Sequence, residues 1–171
     1  MQSPAPPRLD LSLALADPEA TEAFGTALAG ALGPGCVVLL SGPIGAGKSH
    51  LARAVIRSLL AAHDRPPEDI PSPTYTLVQT YDLGETEVWH ADLYRLGGPD
   101  DVFELGLDAA FETAICLVEW PDRLGEATPP GALEIALSAD PASDGRIAKL
   151  TATGPRWTAL ARRLADAGAS R

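Results

Sequence analysis

The run Val37-Val38-Leu39-Leu40-Ser41-Gly42-Pro43-Ile44-Gly45-Ala46-Gly47-Lys48-Ser49 decides how this chain is read. Four consecutive apolar residues predict a short strand buried on both faces, as in a parallel sheet. The next eight residues, Gly42 to Ser49, fit G-x-x-x-x-G-K-[ST], the Walker A pattern. The glycines let the backbone curl until its N–H groups converge on phosphate oxygens. A helix starting at the end of the loop adds partial positive charge at the same point. Lys48 is expected to reach the β- and γ-phosphates, and Ser49 to offer a hydroxyl to Mg²⁺. Gly42, Ile44, Gly45, Ala46 and Gly47 complete the expected phosphate cradle.

Working outward, a helix is predicted from about Lys48 to Ala62, with Leu51, Val55, Leu59 and Leu60 on one side and Pro66-Pro67 ending it. Upstream, Leu9, Leu11, Leu13 and Leu15 alternate with polar or small residues, the period of a half-buried strand. Asp17-Pro18-Glu19 then offers an N-cap, a proline at the first helical position and an acid in the first turn. That helix is expected to reach about Leu32 and stop at Gly33-Pro34-Gly35. Downstream, Thr74–Tyr81 and Glu87–Tyr94 are rich in β-branched and aromatic residues around a Gly84 turn, which predicts a hairpin. Asp100 to about Thr113 reads as one or two short helices broken at Gly106. Ile115–Val118 is a second buried strand, followed by Glu119-Trp120-Pro121. Ala132–Leu137 and Arg146–Thr153 predict a second hairpin around Asp144-Gly145, and a last helix covers about Pro155 to Ala167. The expected fold is α/β: a P-loop NTPase-like central sheet with parallel core strands, antiparallel flanking hairpins and helices on both faces. One domain over 1–171 is expected, with frayed ends at about 1–7 and 168–171.

Composition narrows the class without naming a chemistry. With 171 residues, 46% hydrophobic and 21% charged, the chain is ordinary for a soluble protein. Two cysteines, each inside an apolar run, read as small buried hydrophobes rather than a disulfide or zinc framework. The N-terminus lacks the basic start and apolar stretch of a signal peptide, and no apolar run approaches the length of a membrane span. A cytoplasmic location with no membrane partner is expected. The net charge of −10 is concentrated, since residues 66–128 hold fourteen acids against Arg95 and Arg123. Such a block repels a phosphate backbone, so tight direct nucleic-acid binding is not expected. Residues 42–65 are instead net positive, through Lys48, Arg53, Arg57 and Arg65 against Asp64.

Hydrolysis of a bound nucleotide needs a carboxylate near the metal or the attacking water. Glu119 ends the second buried run, the place of a Walker B acid. Asp92, in Trp89-His90-Ala91-Asp92-Leu93-Tyr94-Arg95, is the other candidate. Arg146, Arg156 and the Asp17–Thr21 corner are within conceivable reach of a nucleotide, and no pattern assigns them.

Four segments together resemble one family, the bacterial TsaE (YjeE) ATPases that act in making threonylcarbamoyladenosine on tRNA. They are Gly42–Ser49, Ser72-Pro73-Thr74-Tyr75-Thr76-Leu77-Val78, His90-Ala91-Asp92-Leu93-Tyr94-Arg95-Leu96 and Ile115-Cys116-Leu117-Val118-Glu119-Trp120-Pro121. The resemblance implies a small Mg²⁺-dependent ATPase that supports turnover of a complex of TsaD and TsaB, slow without those partners. It makes Lys48 and Ser49 the phosphate and metal residues, Glu119 the Walker B-like metal residue and Asp92 an aspartate important for hydrolysis. Thr74 falls in a segment similar to a nucleotide-sensing switch, and Trp120 in one needed for function. The chain departs from the family where Ser49-His50 replaces a pair of threonines, Pro43 replaces an acid, and Ala91 replaces a bulkier residue.

Two other classes compete. A small-molecule P-loop kinase shares the loop, but such kinases use several arginines around the transferring phosphate, and the acidic block offers only Arg95 and Arg123. A nucleotide-gated binding module with negligible hydrolysis shares it as well, and Asp92 and Glu119 argue for hydrolysis instead.

Overall fold

The computed structural model describes residues 2–169. Its centre is a seven-stranded sheet in the order β1-β7-β6-β2-β5-β4-β3. The strands are β1 (Arg8–Leu15), β2 (Val37–Ser41), β3 (Val78–Asp82), β4 (Glu87–Asp92), β5 (Ile115–Glu119), β6 (Leu133–Ala139) and β7 (Arg146–Thr153). β6, β2, β5 and β4 run parallel, while β1, β7 and β3 pair antiparallel at the two sides. The helices are α1 (Pro18–Ala29), α2 (Lys48–Ala62), α3 (Pro99–Leu105), α4 (Leu107–Thr113) and α5 (Thr158–Ala169). The α/β expectation, with parallel centre and flanking hairpins, holds.

Continuous apolar runs arise because the central strands feed two cores with alternate residues. Val38, Leu40, Ile115 and Leu117 face α1, α2 and α5, packing with Phe24, Leu28, Leu51, Val55 and Leu160. Val37, Leu39, Cys116 and Val118 face the other way, onto Val102, Leu107, Phe111 and Leu124. Truncating a fully buried leucine such as Leu51 to alanine is expected to cost about 2–5 kcal/mol. α1 and α2 cross closely at Gly25, where an added Cβ would lie 2.7 Å from that of Ala54. Both cysteines are buried and free, and burial pushes the Cys116 thiol up to about 12, as befits a small core hydrophobe.

Several boundaries differ from the expectation, each for a local reason. α1 stops at Ala29, because Ala31 and Leu32 donate to Leu28 and Ala29 in a tighter, three-residue pattern. The first hairpin begins at Val78 and not at Thr74: residues 74–77 form a turn closed by Leu77 N–H to Pro73 O at 2.8 Å, with Leu77 at φ +67. Its second strand ends at Asp92 and not at Tyr94, because the Asp92 carboxylate accepts the Tyr94 N–H at 3.0 Å. Such side-chain capture of the backbone competes with a ladder and overrides β propensity. The second hairpin is joined by a longer loop than a two-residue Asp144-Gly145 turn, since β6 runs to Ala139 and β7 begins at Arg146. The last helix is preceded by a 3₁₀ turn at Pro155–Trp157 and reaches Ala169, and a further 3₁₀ segment spans Pro121–Ala127. Residues 2–7 are exposed coil; of the expected frayed ends, residues 1, 170 and 171 lie outside the described residues.

Candidate nucleotide site

β2, β5 and β4 all end at the same edge of the sheet, at Ser41, Glu119 and Asp92. Open α/β sheets bind ligands beyond the carboxyl ends of their parallel strands, where the strand order reverses direction. Here the chain fills the sheet on one side of β2 with β3, β4 and β5, then crosses to the other side with β6. The phosphate loop leaves β2 at that reversal.

The loop geometry follows from its glycines. Gly42, Gly45 and Gly47 have φ of +142, +82 and +102. At Gly42 an added Cβ would come 2.4 Å from Leu137 O, so the loop root packs directly on the end of β6. At Gly45 and Gly47 no described residue other than the chain neighbours lies within 4 Å of an added Cβ, leaving an open cradle. α2 begins with no side-chain cap and no acid in its first turn, so its N-terminal dipole faces that cradle uncompensated. Ile44 is 78% exposed at the loop tip, whereas the Ala46 side chain is buried in the core, so each can meet a ligand there chiefly through its backbone.

Lys48 is folded back onto the loop. Its Nζ donates to Gly42 O at 2.7 Å and Pro43 O at 2.9 Å, and sits 4.3 Å from the centroid of the Trp120 ring. Burial holds the ammonium below its ordinary pKa range, an effect opposed by the charges of Glu119 and Asp92. Trp120 stacks at 4.9 Å on Tyr94 in a tilted arrangement, and its backbone has the left-handed φ of +58, which turns the chain off β5 and over the loop. Trp120 also packs partly against the second core, so the ring serves packing and faces the site at once.

The expected carboxylates converge. Asp92 and Glu119 are register partners on adjacent parallel strands and both are buried. Ser49 Oγ donates to Glu119 Oε1 at 2.9 Å and Oε2 at 3.1 Å. Thr74 Oγ1 donates to Asp92 Oδ2 at 3.3 Å, so the turn that displaced the predicted strand is what carries Thr74 to the site. Lys48, Ser49, Thr74, Asp92, Glu119, Tyr94 and Trp120 share the wall of one cleft of about 420 Å³.

A second recess of about 250 Å³ lies on the other side of Gly47 and His50, which line both. Its walls include Leu15, Pro18, Leu137 and Arg146. Arg146 reaches Gly45 O at 3.3 Å, and the Asp17–Thr21 corner contributes Asp17, Pro18 and Thr21. Arg156 is elsewhere: it donates to Gly35 O at 2.6 Å, at the opposite end of β2, which removes it from the candidates. His50, in place of a hydroxyl residue, sits with Nε2 3.4 Å from Pro18 O and bridges the starts of α2 and α1.

The residue that sequence reasoning passed over is His90. It is fully buried, with Nε2 2.6 Å from Glu119 Oε2. The signal was present: in β4 residues two apart share a face, so His90-Ala91-Asp92 places the imidazole beside the aspartate on the side facing α2.

Oxygen donors at the loop–helix junction suit Mg²⁺, which prefers hard oxygen ligands and keeps several waters. Among the described residues no group of three or more His, Cys, Asp or Glu forms an all-protein metal cage, so a metal at Ser49 and Glu119 would rely on phosphate oxygens and water for its remaining contacts. No helix among the described residues is long and apolar enough to cross a membrane.

Comparison with known proteins gives concordant results. The sequence model of the family described as "Threonylcarbamoyl adenosine biosynthesis protein TsaE" matches residues 15–147. A Rickettsia bellii protein named tRNA threonylcarbamoyladenosine biosynthesis protein TsaE is 35% identical over 119 residues, 70% of this chain and 80% of that protein. The Bacillus subtilis protein of the same name is 32% identical over 149 residues, 86% of this chain and 89% of its own length. A crystal structure of YdiB from Bacillus subtilis superposes with a TM-score of 0.68 at 26% identity, covering 97% of this chain and 99% of that one.

Proposed function

The chain belongs to the TsaE family of threonylcarbamoyladenosine biosynthesis proteins, and on that premise we propose that it is the ATP-binding and ATP-hydrolysing member of the tRNA-modifying machinery. Its role lies in forming threonylcarbamoyladenosine on tRNA. In this reading the whole chain acts as one unit in the cytoplasm, supports turnover of a TsaD–TsaB complex, and leaves the RNA to those partners. The carrying observation is the Ser49–Glu119 contact of 2.9 Å at the loop–helix junction, with Asp92 in register beside Glu119.

The two recesses give the nucleotide a direction. Phosphates on the loop leave the triphosphate end in the cleft that holds both carboxylates and the nucleoside in the smaller recess, between Leu15, Pro18 and Leu137. The loop amides and the α2 N-terminus bind the phosphates. Lys48 leaves Gly42 O and Pro43 O to reach the β- and γ-phosphates. Ser49 and Glu119 are the residues that would hold Mg²⁺, which, when bound, neutralises charge between β- and γ-phosphate oxygens. Asp92 orients the attacking water, whose oxygen bonds to the γ-phosphorus as the bridge to the β-phosphate breaks, giving ADP and phosphate. Thr74, hydrogen-bonded to Asp92, ties the 74–77 turn to that step. Trp120 and Tyr94, their rings 4.9 Å apart, line the cleft beside Lys48.

The test is phosphate release from ATP, measured with and without purified TsaD and TsaB. The expected result is a slow basal rate, raised by the partners and absent in Lys48→Ala. Faster appearance of a phosphorylated small molecule than of free phosphate would favour a kinase and reject this reading.

A further inference from the structure

We propose that His90 is a positioning residue that sets the metal-binding geometry of Glu119 from beneath the site, an inference resting on the assignment of Ser49 and Glu119 to Mg²⁺. His90 stands on β4 with its side chain completely buried. A polar ring in such a place costs free energy unless its groups are paired, and here one is not: Nδ1 has no hydrogen-bond partner among the described residues. An aliphatic residue would fill the position without that cost. The ring's single hydrogen bond therefore needs an explanation beyond packing.

That bond runs to the carboxylate at the centre of the site. A carboxylate oxygen accepts, so Nε2 carries the proton and donates to Glu119 Oε2 at 2.6 Å, a short, charge-assisted contact. Ser49 Oγ meets the same carboxylate from the loop side, 2.9 Å from Oε1 and 3.1 Å from Oε2. The two donors arrive from different elements: Ser49 from the first turn of α2, His90 from the neighbouring strand, where its register partner is Leu117 and that of Asp92 is Glu119. Held at Oε2 by the imidazole, the carboxylate cannot rotate freely, and Oε1 stays turned towards the Ser49 hydroxyl. Groups that orient a metal-binding side chain in this way are typically worth about 10–100-fold in metal affinity. His90 touches none of the reacting atoms in this arrangement and acts only through Glu119.

Three variants separate positioning from packing. His90→Leu fills the space without a donor. His90→Asn keeps a polar group on a stem too short to reach Glu119. His90→Gln places an amide N–H near the position of Nε2. The measurements are ADP affinity in the presence of a chelator, ADP affinity across a Mg²⁺ titration, and Mn²⁺ bound to the protein–ADP complex by electron paramagnetic resonance. In the Leu and Asn variants the Mg²⁺ needed for half the effect should rise by about 10–100-fold, with weaker Mn²⁺ binding and unchanged metal-free ADP affinity, and Gln should recover most of the loss. If Leu and Asn hold Mg²⁺ as the native protein does, the inference is wrong. It is equally wrong if all three variants lose metal-free and metal-supported binding in the same proportion, because His90 is then a packing residue. A native protein whose ADP affinity ignores Mg²⁺ overturns the metal assignment itself, and this inference with it.

Discussion

The two recesses that flank Gly47 and His50 are built from different materials. The larger is walled by ionisable and hydroxyl groups, namely Lys48, Ser49, Thr74, Asp92 and Glu119. The smaller sets Leu15, Pro18 and Leu137 beside Asp17, Thr21 and Asp144, with Arg146 reaching across to the loop. In the proposed reading the first side takes the phosphates and the metal and the second takes the nucleoside. Substitutions on the first side should alter rate, and those on the second should alter affinity. The loop between them should alter both.

The sharpest way to break that division is at the loop. Lys48→Ala should lower kcat/KM for ATP by about 1,000-fold, as loss of a charged donor to a transferring phosphate does, and a calorimetric titration should show weakened ATP binding too. Retained affinity and turnover would detach the loop from both recesses. Next come Asp92→Asn and Glu119→Gln, each expected to lower kcat by about 100-fold. ADP binding without metal should persist and the melting temperature should fall little. A melting temperature that falls in step with activity would make these carboxylates structural. Arg146→Ala should raise KM about fivefold, the scale of one lost hydrogen bond to the loop, and leave kcat alone; a lowered kcat would erase the contrast between the two sides. The smallest effect is optical. Nucleotide entry draws Lys48 off the Trp120 face, so tryptophan emission should change on adding ADP to the native protein and stay flat in Trp120→Phe.

How much of this was legible in sequence also divides along the loop. Much of the carboxylate side is written in contiguous motifs, because the loop and Glu119 each follow an apolar strand run: Val37–Leu40 before the loop, Ile115–Val118 before Glu119. His90 was legible in part, since its period with Asp92 puts both on one face, but its bond to Glu119 depends on a diagonal across two strands. Thr74 was misplaced in a strand because its β-branched neighbourhood hides a turn that a proline carbonyl closes. The smaller recess left no pattern, since the ends of β1 and β6, the start of α1 and the loop before β7 meet there and two of its contacts, Arg146 to Gly45 O and His50 to Pro18 O, are to backbone oxygens. Asp17-Pro18 announced a helix cap and nothing more, and the cap itself is there, with Asp17 accepting from Ala20 N at 2.8 Å. Proximity of segments so far apart in the chain is a property of topology alone.

The edge pairing of β1 with β7, which joins Arg8 to Thr153 and Leu15 to Arg146, has a consequence for the order of assembly. The loop and both carboxylates lie within residues 37–119, at the ends of β2, β4 and β5. The wall around Leu15 and Arg146 waits for a contact between the first strand and the last, the kind of distant closure that carries the highest entropic cost in folding. During synthesis from the N-terminus, β1 leaves the ribosome first and its partner strand nearly last. The proposed phosphate site is thus encoded early in the growing chain, while the recess proposed for the nucleoside is complete only once translation has delivered β7.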